Sequence, residues 1–595
     1  MTTATATSVH AGGAWLLSET VPGSMVTPER LTEEHRLIDQ TTSEFVANEV
    51  IPSHDQLEQK DWDLARRLLR RCGELGFLGT DVPEVYGGVE LDKTASIVVA
   101  GRIGQSGSFG SLFGAQTGLA IMPIRCFGTK AQKEKYLPGL VSGEVVGAYC
   151  LSESGSGSDA LAAKTRADRQ PDGSFVLNGE KMWITNGGFA DLFIVFAKVD
   201  GEQFTAFIVE RKFPGVSSGK EERKMGLHGA STTPVIFQDT KVPADNLLGE
   251  IGRGHKVAFN ILNYGRFKLG AAVSGGSLGA IGEATRYASQ RKQFGQAIAT
   301  FGAIQHKLGE MTVRAYAVES MVYRVAGLLD AMLEGHDPDD DTAVLAALEE
   351  FAVESSIIKV AGSEMLDYVL DENVQIHGGN GFVEDYPAER HYRDSRVNRI
   401  FEGTSEINRL LIPGMLIRRA LKGDFALIPA AKKLLDEVMG PPAVAETAEG
   451  LLEDQRRAVW AFKKVGLMVI GSAMQRYGEK LTDEQEVLSF AADILIDTFA
   501  CESAVLRALQ ASSEGLLTAE LQADAARVAI DAAAGRIDIA ARQALAAMSE
   551  GDTLRTELAA LRRLLKVTPI NAVALRRRLA EEMVTRGGYL FGAST

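Results

Sequence analysis

The chain has 595 residues, 45% of them hydrophobic, so it has the composition of a globular protein but is too long to fold around one core. Its formal net charge of −15 repels phosphate groups and argues against nucleic-acid binding, and no apolar stretch has the roughly 20 residues of a membrane-spanning helix. The four cysteines are scattered without CxxC spacing, which argues against a metal site or disulfides and favours a cytoplasmic protein.

The amino-terminal part, residues 31–147, has the apolar spacing of helices, as in the run at 68–75. A turn at residues 83–88, with one proline and two glycines, interrupts this pattern. We therefore expect an amino-terminal helical domain.

Short β-branched and aromatic runs follow in residues 148–252 and predict a compact β domain. The clearest runs are residues 175–177, 193–196, 204–209 and 235–237. Asn178-Gly179 directly follows the first of them, and this dipeptide predicts a hairpin turn.

Helical spacing returns after Gly252 and continues almost to the end of the chain. Helices, a β unit and helices again is the order of an α+β protein, not of alternating βαβ units. A break rich in glycine and proline at residues 439–442 separates a helical block at 253–421 from a last block at 440–590. We expect the last block to be a separate C-terminal helical domain.

Residues 400–405, IFEGTS, place one carboxylate, Glu402, among apolar neighbours. Burial disfavours the ionised form, so it would raise the pKa of Glu402 and strengthen it as a proton acceptor. Gly403 would let a substrate approach the backbone closely. The alternative is that Glu402 merely precedes a helix, with Thr404 as N-cap and a buried face formed by Leu410, Leu411 and Met415.

A second candidate lies on the β unit, where Trp183 and Thr185 are two residues apart and would share one side of a strand. A planar heterocycle would stack on Trp183 while Thr185 hydrogen-bonds its edge. A core tryptophan in a sandwich is an equally good interpretation of the pattern.

Glycine-rich segments at residues 154–159 and 375–381 lack the strand and helix context of a Rossmann motif, and no Walker A lysine accompanies them. Such segments expose backbone N–H groups that can bind pyrophosphate, although most glycine clusters are turns. His377 has no second His or Cys nearby, so we expect a packed or surface histidine and no metal.

These segments together resemble the acyl-CoA dehydrogenase flavoprotein family. Residues 150–159, CLSESGSGSD, are similar to its first signature, and its second is matched by Gln375, Gly378, Gly379, Gly381, Asp385, Arg390 and Asp394. The resemblance covers about residues 31–421, and the additional helical block makes the very-long-chain type the nearest match. It implies a helical domain, a middle β-barrel or sandwich domain and a four-helix bundle, followed by the C-terminal helical domain.

In that family Glu402 would be the base that removes the pro-R α proton of acyl-CoA while hydride leaves the β carbon for FAD, giving trans-2-enoyl-CoA. Some relatives carry the base directly before the arginine that matches Arg266, but this chain has Gly265 there, which cannot serve. A nitroalkane-oxidising branch has Asp in place of the glutamate. The resemblance implies fatty acid β-oxidation of medium to long chains, with electrons passing to an electron-transferring flavoprotein.

The resemblance also assigns cofactor contacts. Leu151 and Ser152 would contact the pyrimidine edge of the flavin, Trp183 would stack near the isoalloxazine, and Thr185 would hydrogen-bond near its reactive nitrogen. The remaining positions would close over FAD or bind the FAD of a neighbouring subunit: Thr404, Glu406, Arg291, Gln293, Phe294, Gln375, Gly378 and Gly379. Such sharing requires a homodimer or a dimer of dimers.

Substrate contacts follow in the same way. Ser158 would contact the CoA portion, and Asn263 and Arg266 would form the turn that orients the CoA end. The thioester carbonyl would accept hydrogen bonds from the backbone N–H of Glu402, beside Gly403, and from a flavin ribityl hydroxyl, as in an oxyanion hole.

Departures from the family leave other questions open. Ser154 replaces a usual proline, and Ala120 and Pro123 stand where very-long-chain relatives have glycines near the pocket floor, so the preferred chain length is not set. An acyl-CoA oxidase or a non-catalytic assembly or scaffold member would share the same motifs.

Residues 458–470 combine an apolar face with two lysines, which suits an interfacial helix with peripheral membrane contact, but we favour a buried interdomain or dimer-contact helix.

Overall fold

A computed structural model of the chain describes residues 11–18, 25–440 and 450–592. Its amino-terminal part is helical: α1 (Glu33–Phe45), α2 (His54–Glu58), α3 (Trp62–Glu74), α4 (Lys93–Ile103), α5 (Gly107–Gly114), α6 (Met122–Phe127) and α7 (Lys130–Val141). Local caps set where helices begin. Thr32 before α1 and Thr129 before α7 each accept a hydrogen bond from the N–H three residues on, within capping boxes completed by His35 and Gln132.

The middle part is a β domain: β1 (Gly147–Cys150), β2 (Arg166–Arg169), β3 (Phe175–Thr185), β4 (Leu192–Val199), β5 (Gln203–Glu210), β6 (Val216–Ser218), β7 (Thr232–Val242) and β8 (Leu247–Leu248). These strands form a sheet in the order β6-β7-β3-β2-β4-β5-β8, and β1 pairs in parallel with β4. The predicted apolar runs lie in β3, β4, β5 and β7, so the strand predictions and the α+β class are confirmed.

The predicted hairpin at Asn178-Gly179 is wrong. β3 runs through both residues, and its register against β7 shifts between Leu177 and Gly179. Gly179 has a φ of 153°, and a Cβ added there would lie 2.5 Å from Thr165 Oγ1. The glycine therefore permits a β-bulge against a close neighbour, and the strand bends without ending.

A helical bundle follows: α8 (Gly254–Gln290), the hairpin β9 (Lys292–Gln293) and β10 (Gln296–Ala297), α9 (Gly302–Leu333), α10 (Asp341–Glu350), α11 (Ala352–His377), α12 (Ala388–Ser395) and α13 (Ser405–Lys422). α11 packs against α8, α9 and α13. Small residues bring α8 and α11 together, since a Cβ added at Gly270 would lie 2.9 Å from Ile358 Cδ1. α11 therefore touches both α8, which carries Arg266, and α13, which follows Glu402.

The chain after α13 is helical: α14 (Leu427–Met439), α15 (Glu453–Tyr477), α16 (Gln485–Ser513), α17 (Ala519–Met548), α18 (Gly551–Leu564) and α19 (Ala572–Arg586). α14 precedes the predicted start of the last block at residue 440 but packs against α15 of that block. α16 packs against α9 and α13, and α19 packs against α9. Buried ion pairs join the blocks, Arg324 with Glu502 at 2.9 Å and Arg507 with Glu319 at 2.8 Å. Of the predicted break at 439–442, residues 441 and 442 lie outside the described residues.

Residues 458–470 lie within α15, which packs against α16 and α17. Val459, Phe462, Val465 and Ile470 are buried, and Lys463 is buried beside Glu502. The apolar face of this helix is therefore inside the protein, as the favoured alternative predicted. Over the described parts of the chain, none of the helices combines the length and the apolar character that crossing a bilayer requires.

Candidate active site

The Glu402 turn joins α12 to α13 and is held by side chains of α8 and α13. Glu402 and Gly403 have left-handed φ angles of 58° and 77°, and Thr404 caps α13 by accepting a hydrogen bond from the N–H three residues on. Arg266 Nε donates to the Glu402 carbonyl at 3.0 Å, and the Asn408 side-chain amide donates to the Gly403 carbonyl at 2.8 Å. A glutamate in this backbone region is strained, and such strain clusters at functional sites.

The carboxylate of Glu402 packs against α8 at a glycine. A Cβ added at Gly265 would lie 2.6 Å from Glu402 Oε2 and 2.8 Å from its Cδ. Oε2 is buried and has no hydrogen-bond partner among the described residues. Burial raises the pKa of Glu402 to about 7, although the charges of Arg266 and Lys359 oppose this rise. A carboxyl group with a pKa near neutrality and an uncommitted oxygen suits a proton acceptor.

The helix after this turn differs in detail from the alternative interpretation of the sequence. Thr404 is the N-cap, as that interpretation predicted. The buried face that the interpretation predicted is wrong, because Leu410, Leu411 and Met415 are only half-buried. α13 is covered by both α11 and α16, and the row that faces inward is Asn408, Ile412, Leu416 and Ala420.

On the β side, Trp183 projects from the sheet with its side chain 57% exposed and a left-handed φ of 58°. The register of β3 against β7 shifts between Lys181 and Ile184, and this bulge turns the indole outward while Lys181 and Ile184 stay buried. Thr185 is half-buried. The interpretation of Trp183 as a core tryptophan is therefore wrong, and its ring face is available for stacking.

A buried ion pair fixes the loop after β1 against β3. Lys181 Nζ donates to Glu153 Oε1 at 2.7 Å and to the Leu151 carbonyl at 3.2 Å, and a β3 backbone N–H donates to the Ser152 carbonyl at 2.9 Å. Burial opposes ionisation of Glu153, but its hydrogen bonds and the lysine charge lower its pKa to about 2. Leu151 and Ser152 are thus held beside the part of β3 that carries Trp183.

The β side and the Glu402 turn approach each other at Tyr149 on β1. The hydroxyl of Tyr149 is buried, and burial followed by the charge of Glu402 raises its pKa well above its usual value. Tyr149 lies on β1 two residues before Leu151, so the loop after β1 follows directly from the strand that the charge of Glu402 reaches.

Of the residues predicted to contact the substrate, Arg266 is buried and Ser158 is exposed. Arg266 is only 6% exposed, and it contacts the Glu402 turn and Asn263 Oδ1, the latter at 2.9 Å. Ser158 is exposed on the loop after β1. The observed contact of Arg266 holds the Glu402 turn in place, while its role in orienting CoA stays a prediction.

The residues predicted to reach a neighbouring subunit lie at the surface. The Tyr287 hydroxyl donates to the His377 carbonyl at 3.1 Å and the two rings stack at 4.0 Å, which joins the end of α8 to the end of α11. His377 is 4% exposed, so it is a packed histidine as expected. The exposed group comprises Arg291, Gln293, Phe294, Gln375, Gly378 and Gly379.

Sequence reasoning did not single out Tyr149, Lys359 or the pairing of Glu153 with Lys181. Lys359 is detectable as a lone cation in the apolar helical run at 357–361. The other contacts have no local signal, since Glu153 and Lys181 are 28 residues apart in the chain.

Comparisons with known proteins agree with this geometry. Family models match in chain order: acyl-CoA dehydrogenase N-terminal domain at 32–144, middle domain at 148–240, C-terminal domain at 252–416 and a further acyl-CoA dehydrogenase C-terminal domain at 461–563. A probable acyl-CoA dehydrogenase of Bacillus subtilis is 46% identical over 580 residues, covering 97% of this chain and 98% of that protein.

Two further relatives differ in extent. The mitochondrial very long-chain specific acyl-CoA dehydrogenase of Bos taurus is 38% identical over 476 residues, covering 75% of this chain and 70% of that protein. A crystal structure of an acyl-CoA dehydrogenase complexed with FAD from Bacillus anthracis superposes with a TM-score of 0.95 at 46% identity, covering 98% of this chain and 100% of that one. With identity at this level over nearly its whole length, the chain belongs to the acyl-CoA dehydrogenase family.

Proposed function

We propose that this protein is an FAD-dependent acyl-CoA dehydrogenase that converts medium- to long-chain acyl-CoA to trans-2-enoyl-CoA in fatty acid β-oxidation, with Glu402 as the base. The observation that carries the proposal is the carboxylate of Glu402, buried against Gly265 with an oxygen that has no partner among the described residues and a pKa of about 7. A buried structural carboxylate is normally paired. An unpaired one held on a strained turn is poised to take a proton.

The residues present fit FAD, which the Bacillus anthracis relative contains. The outward indole of Trp183 and half-buried Thr185 offer a stacking face and a hydrogen-bonding edge, beside the fixed loop of Leu151 and Ser152. Gly378 and Gly379 leave open space, since a Cβ added to either meets no atom within 4 Å. When bound, FAD supplies the acceptor for the hydride that leaves the substrate.

The chain itself supplies proton removal and orientation. Glu402 accepts the α proton, and Arg266 keeps its turn in place through the Glu402 carbonyl. The Glu402 backbone N–H would polarise the thioester carbonyl and so acidify the α carbon. Binding of substrate and cofactor would desolvate the site and so exclude water from the transferred proton.

The proposed chain length is medium to long. Likeness to a very long-chain enzyme, together with the matched helical block at 461–563, supports a long chain. Ala120 and Pro123 are both buried, and a Cβ added at Gly147 would lie 2.3 Å from the Ala120 side chain. These side chains occupy space that glycines would leave open, which argues for a shorter pocket than in very-long-chain enzymes.

We also propose a homodimer, or a dimer of dimers, in which Arg291, Gln293 and Phe294 with Gln375 bind the FAD of the neighbouring subunit. Phe294 is 94% exposed and Phe382, after the glycine segment, is 85% exposed. Large aromatic side chains this exposed mark an interaction surface.

Thr404 and Glu406, at the start of α13, would close over the cofactor of their own subunit. The electron acceptor would be an electron-transferring flavoprotein, in the cytoplasm.

The test is anaerobic flavin bleaching by saturated acyl-CoAs of increasing length, in the wild type and in Glu402→Gln. We expect rapid bleaching of the wild type with medium and long chains, and turnover lower by about 10²- to 10⁴-fold in Glu402→Gln with FAD retained. Glu334→Gln, the same change at an exposed site, should behave as wild type. Near-normal turnover of Glu402→Gln would remove the base assignment.

The same preparation separates the alternatives. Peroxide formation when air is admitted during turnover would identify an acyl-CoA oxidase, and transfer to an electron-transferring flavoprotein without peroxide would identify the dehydrogenase. A yellow protein that no acyl-CoA bleaches would indicate the non-catalytic assembly or scaffold role.

A further inference from the structure

Lys359 on α11 is a buried cation to which the reaction outlined above gives no role. Its side chain is fully buried, and its Nζ makes no hydrogen bond within the described parts of the chain. Removing an ammonium group from water without a partner costs several kcal/mol. A buried lysine without a partner therefore lowers stability, and its charge calls for a functional explanation.

Lys359 lies on the helix that contacts both α8, which holds the Glu402 turn, and α13, which follows that turn. Its neighbour in sequence, Ile358, packs on Gly270 of α8, and α11 also packs on α13. The charges that act on Lys359 come, in decreasing order, from Glu402, Arg266, Glu364 and Glu406. Among these carboxylates, Glu402 has the strongest electrostatic effect on Lys359.

The other two carboxylates near Lys359 are occupied or solvated. Glu364 forms a bidentate pair with Arg409 at 2.6 and 2.8 Å. Glu406 is exposed at the start of α13. Glu402 alone among the three combines burial with an oxygen that lacks a partner among the described residues.

Charged and titratable groups face Glu402 from three elements: Arg266 from α8, Lys359 from α11 and Tyr149 from β1. Arg266 and Lys359 both favour the ionised carboxylate, while the tyrosine hydroxyl is neutral. Arg266 also has a structural task, since its Nε binds the Glu402 carbonyl and its Nη1 binds Asn263. Lys359 has no such task among the described contacts, so its charge is its contribution.

We propose that Lys359 is a positioning residue that acts through Glu402, holding the buried carboxylate in the ionised form that accepts the substrate proton. The inference rests on the proposed function of Glu402. Two cations around one carboxylate leave a local charge of about +1 before proton transfer and about +2 after it. The field therefore opposes the effect of burial, raises the ionised fraction of the carboxylate at rest and favours release of the captured proton to solvent once the product has left.

The test compares Lys359→Met, which removes the charge at similar length, with Lys359→Arg, which keeps it. In Lys359→Met the rising limb of the kcat/KM against pH profile should move up by one pH unit or more from its wild-type midpoint. At pH 7 this lowers kcat/KM by about fivefold, and the deficit should disappear near pH 9. Lys359→Arg should restore the wild-type midpoint.

A direct measurement of the carboxyl group keeps the two hypotheses apart. Infrared difference spectra against the matching Glu402→Gln variant isolate the carboxyl stretch of Glu402, and titrating that band gives its pKa without any turnover. If Glu402→Gln turns over normally, the proposed base is wrong, yet the infrared titration still reports whether Lys359 controls the carboxyl. An unchanged infrared pKa in Lys359→Met would overturn the role of Lys359 while leaving the proposed function intact.

Lys422→Met is the matched control. Lys422 ends α13, about 25 Å from its start at the usual rise per residue, and it is exposed, so the same loss of charge there should leave the midpoint unchanged. A shift equal to that of Lys359→Met would show a general charge effect and contradict the proposal. Flavin content and thermal unfolding verify folding of each variant, and Lys359→Gln carries the same test if Lys359→Met does not fold.

Discussion

Gly265→Ala is the substitution that most sharply tests how Glu402 is held. The new methyl group would lie 2.6 Å from Oε2, 2.8 Å from Cδ and 3.0 Å from Oε1 of Glu402. The carboxylate has to retreat by about 0.8 Å to reach ordinary contact distance. A misplacement of about 1 Å costs about 10² in rate, so we expect flavin reduction by acyl-CoA to slow by roughly 10- to 100-fold.

The assay is anaerobic stopped-flow measurement of flavin bleaching at saturating substrate. Alanine favours a helix interior over glycine by about 1 kcal/mol, so loss of the helix would not explain a slower rate. Gly279→Ala on the same helix is the control, because its added Cβ meets Gln105 no closer than 3.6 Å. A wild-type rate in Gly265→Ala would refute the reasoning that the carboxylate acts from its position against α8.

Three further predictions concern charge. As the proposed base, Glu402 accepts a proton only when ionised, and burial raises its pKa to about 7. We therefore expect kcat/KM to fall about tenfold between pH 8 and pH 6. A fall in kcat/KM centred near pH 4.5 would contradict the argument that burial raises this pKa. Lys181→Met leaves Glu153 buried without its cation, at a cost of about 3–5 kcal/mol. We expect the variant to lose FAD on gel filtration. A wild-type ratio of flavin to protein absorbance after gel filtration would contradict this expectation. Arg507→Met leaves the buried carboxylates of Glu29 and Glu319 without their cation, so it should lower the free energy of unfolding in urea by a similar amount. Arg555→Met removes an exposed ion pair and should change that free energy little. Equal effects of the two substitutions would contradict the argument that the buried pairs stabilise the fold.

Several features of the candidate site could be predicted because they depend on neighbours in sequence. Thr404 was recognisable as a helix cap. The sequence also predicted the direction of the pKa shift of Glu402, but its neighbour Ile400 is 53% exposed, so the burial that causes the shift comes from other parts of the fold. Runs of β-branched and aromatic residues located the strands, since side-chain alternation is a local property. The motif residues indicated the family, which the comparisons confirm.

Local patterns failed where two segments meet. Asn178-Gly179 has turn propensity, but pairing with β7 on one side and the approach of Thr165 on the other keep the strand continuous. Trp183 gave two equal interpretations until a bulge against β7 turned it outward. The inward face of α13 depended on which helices cover it, which the spacing of Leu410 and Leu411 does not contain.

The sequence by itself therefore determined the types of element and their order, because periodicity and capping are local, and its likeness to the family's motifs indicated Glu402 as the candidate base. The tertiary structure decided how that candidate base is held: Arg266 reaches the Glu402 carbonyl across 136 residues of chain, Gly265 makes room for the carboxylate, and Lys359 is buried on the helix that packs against α8 and α13. Burial and charge proximity are properties of packed helices, so the pKa of Glu402 follows from the fold and not from the residues beside it in the chain.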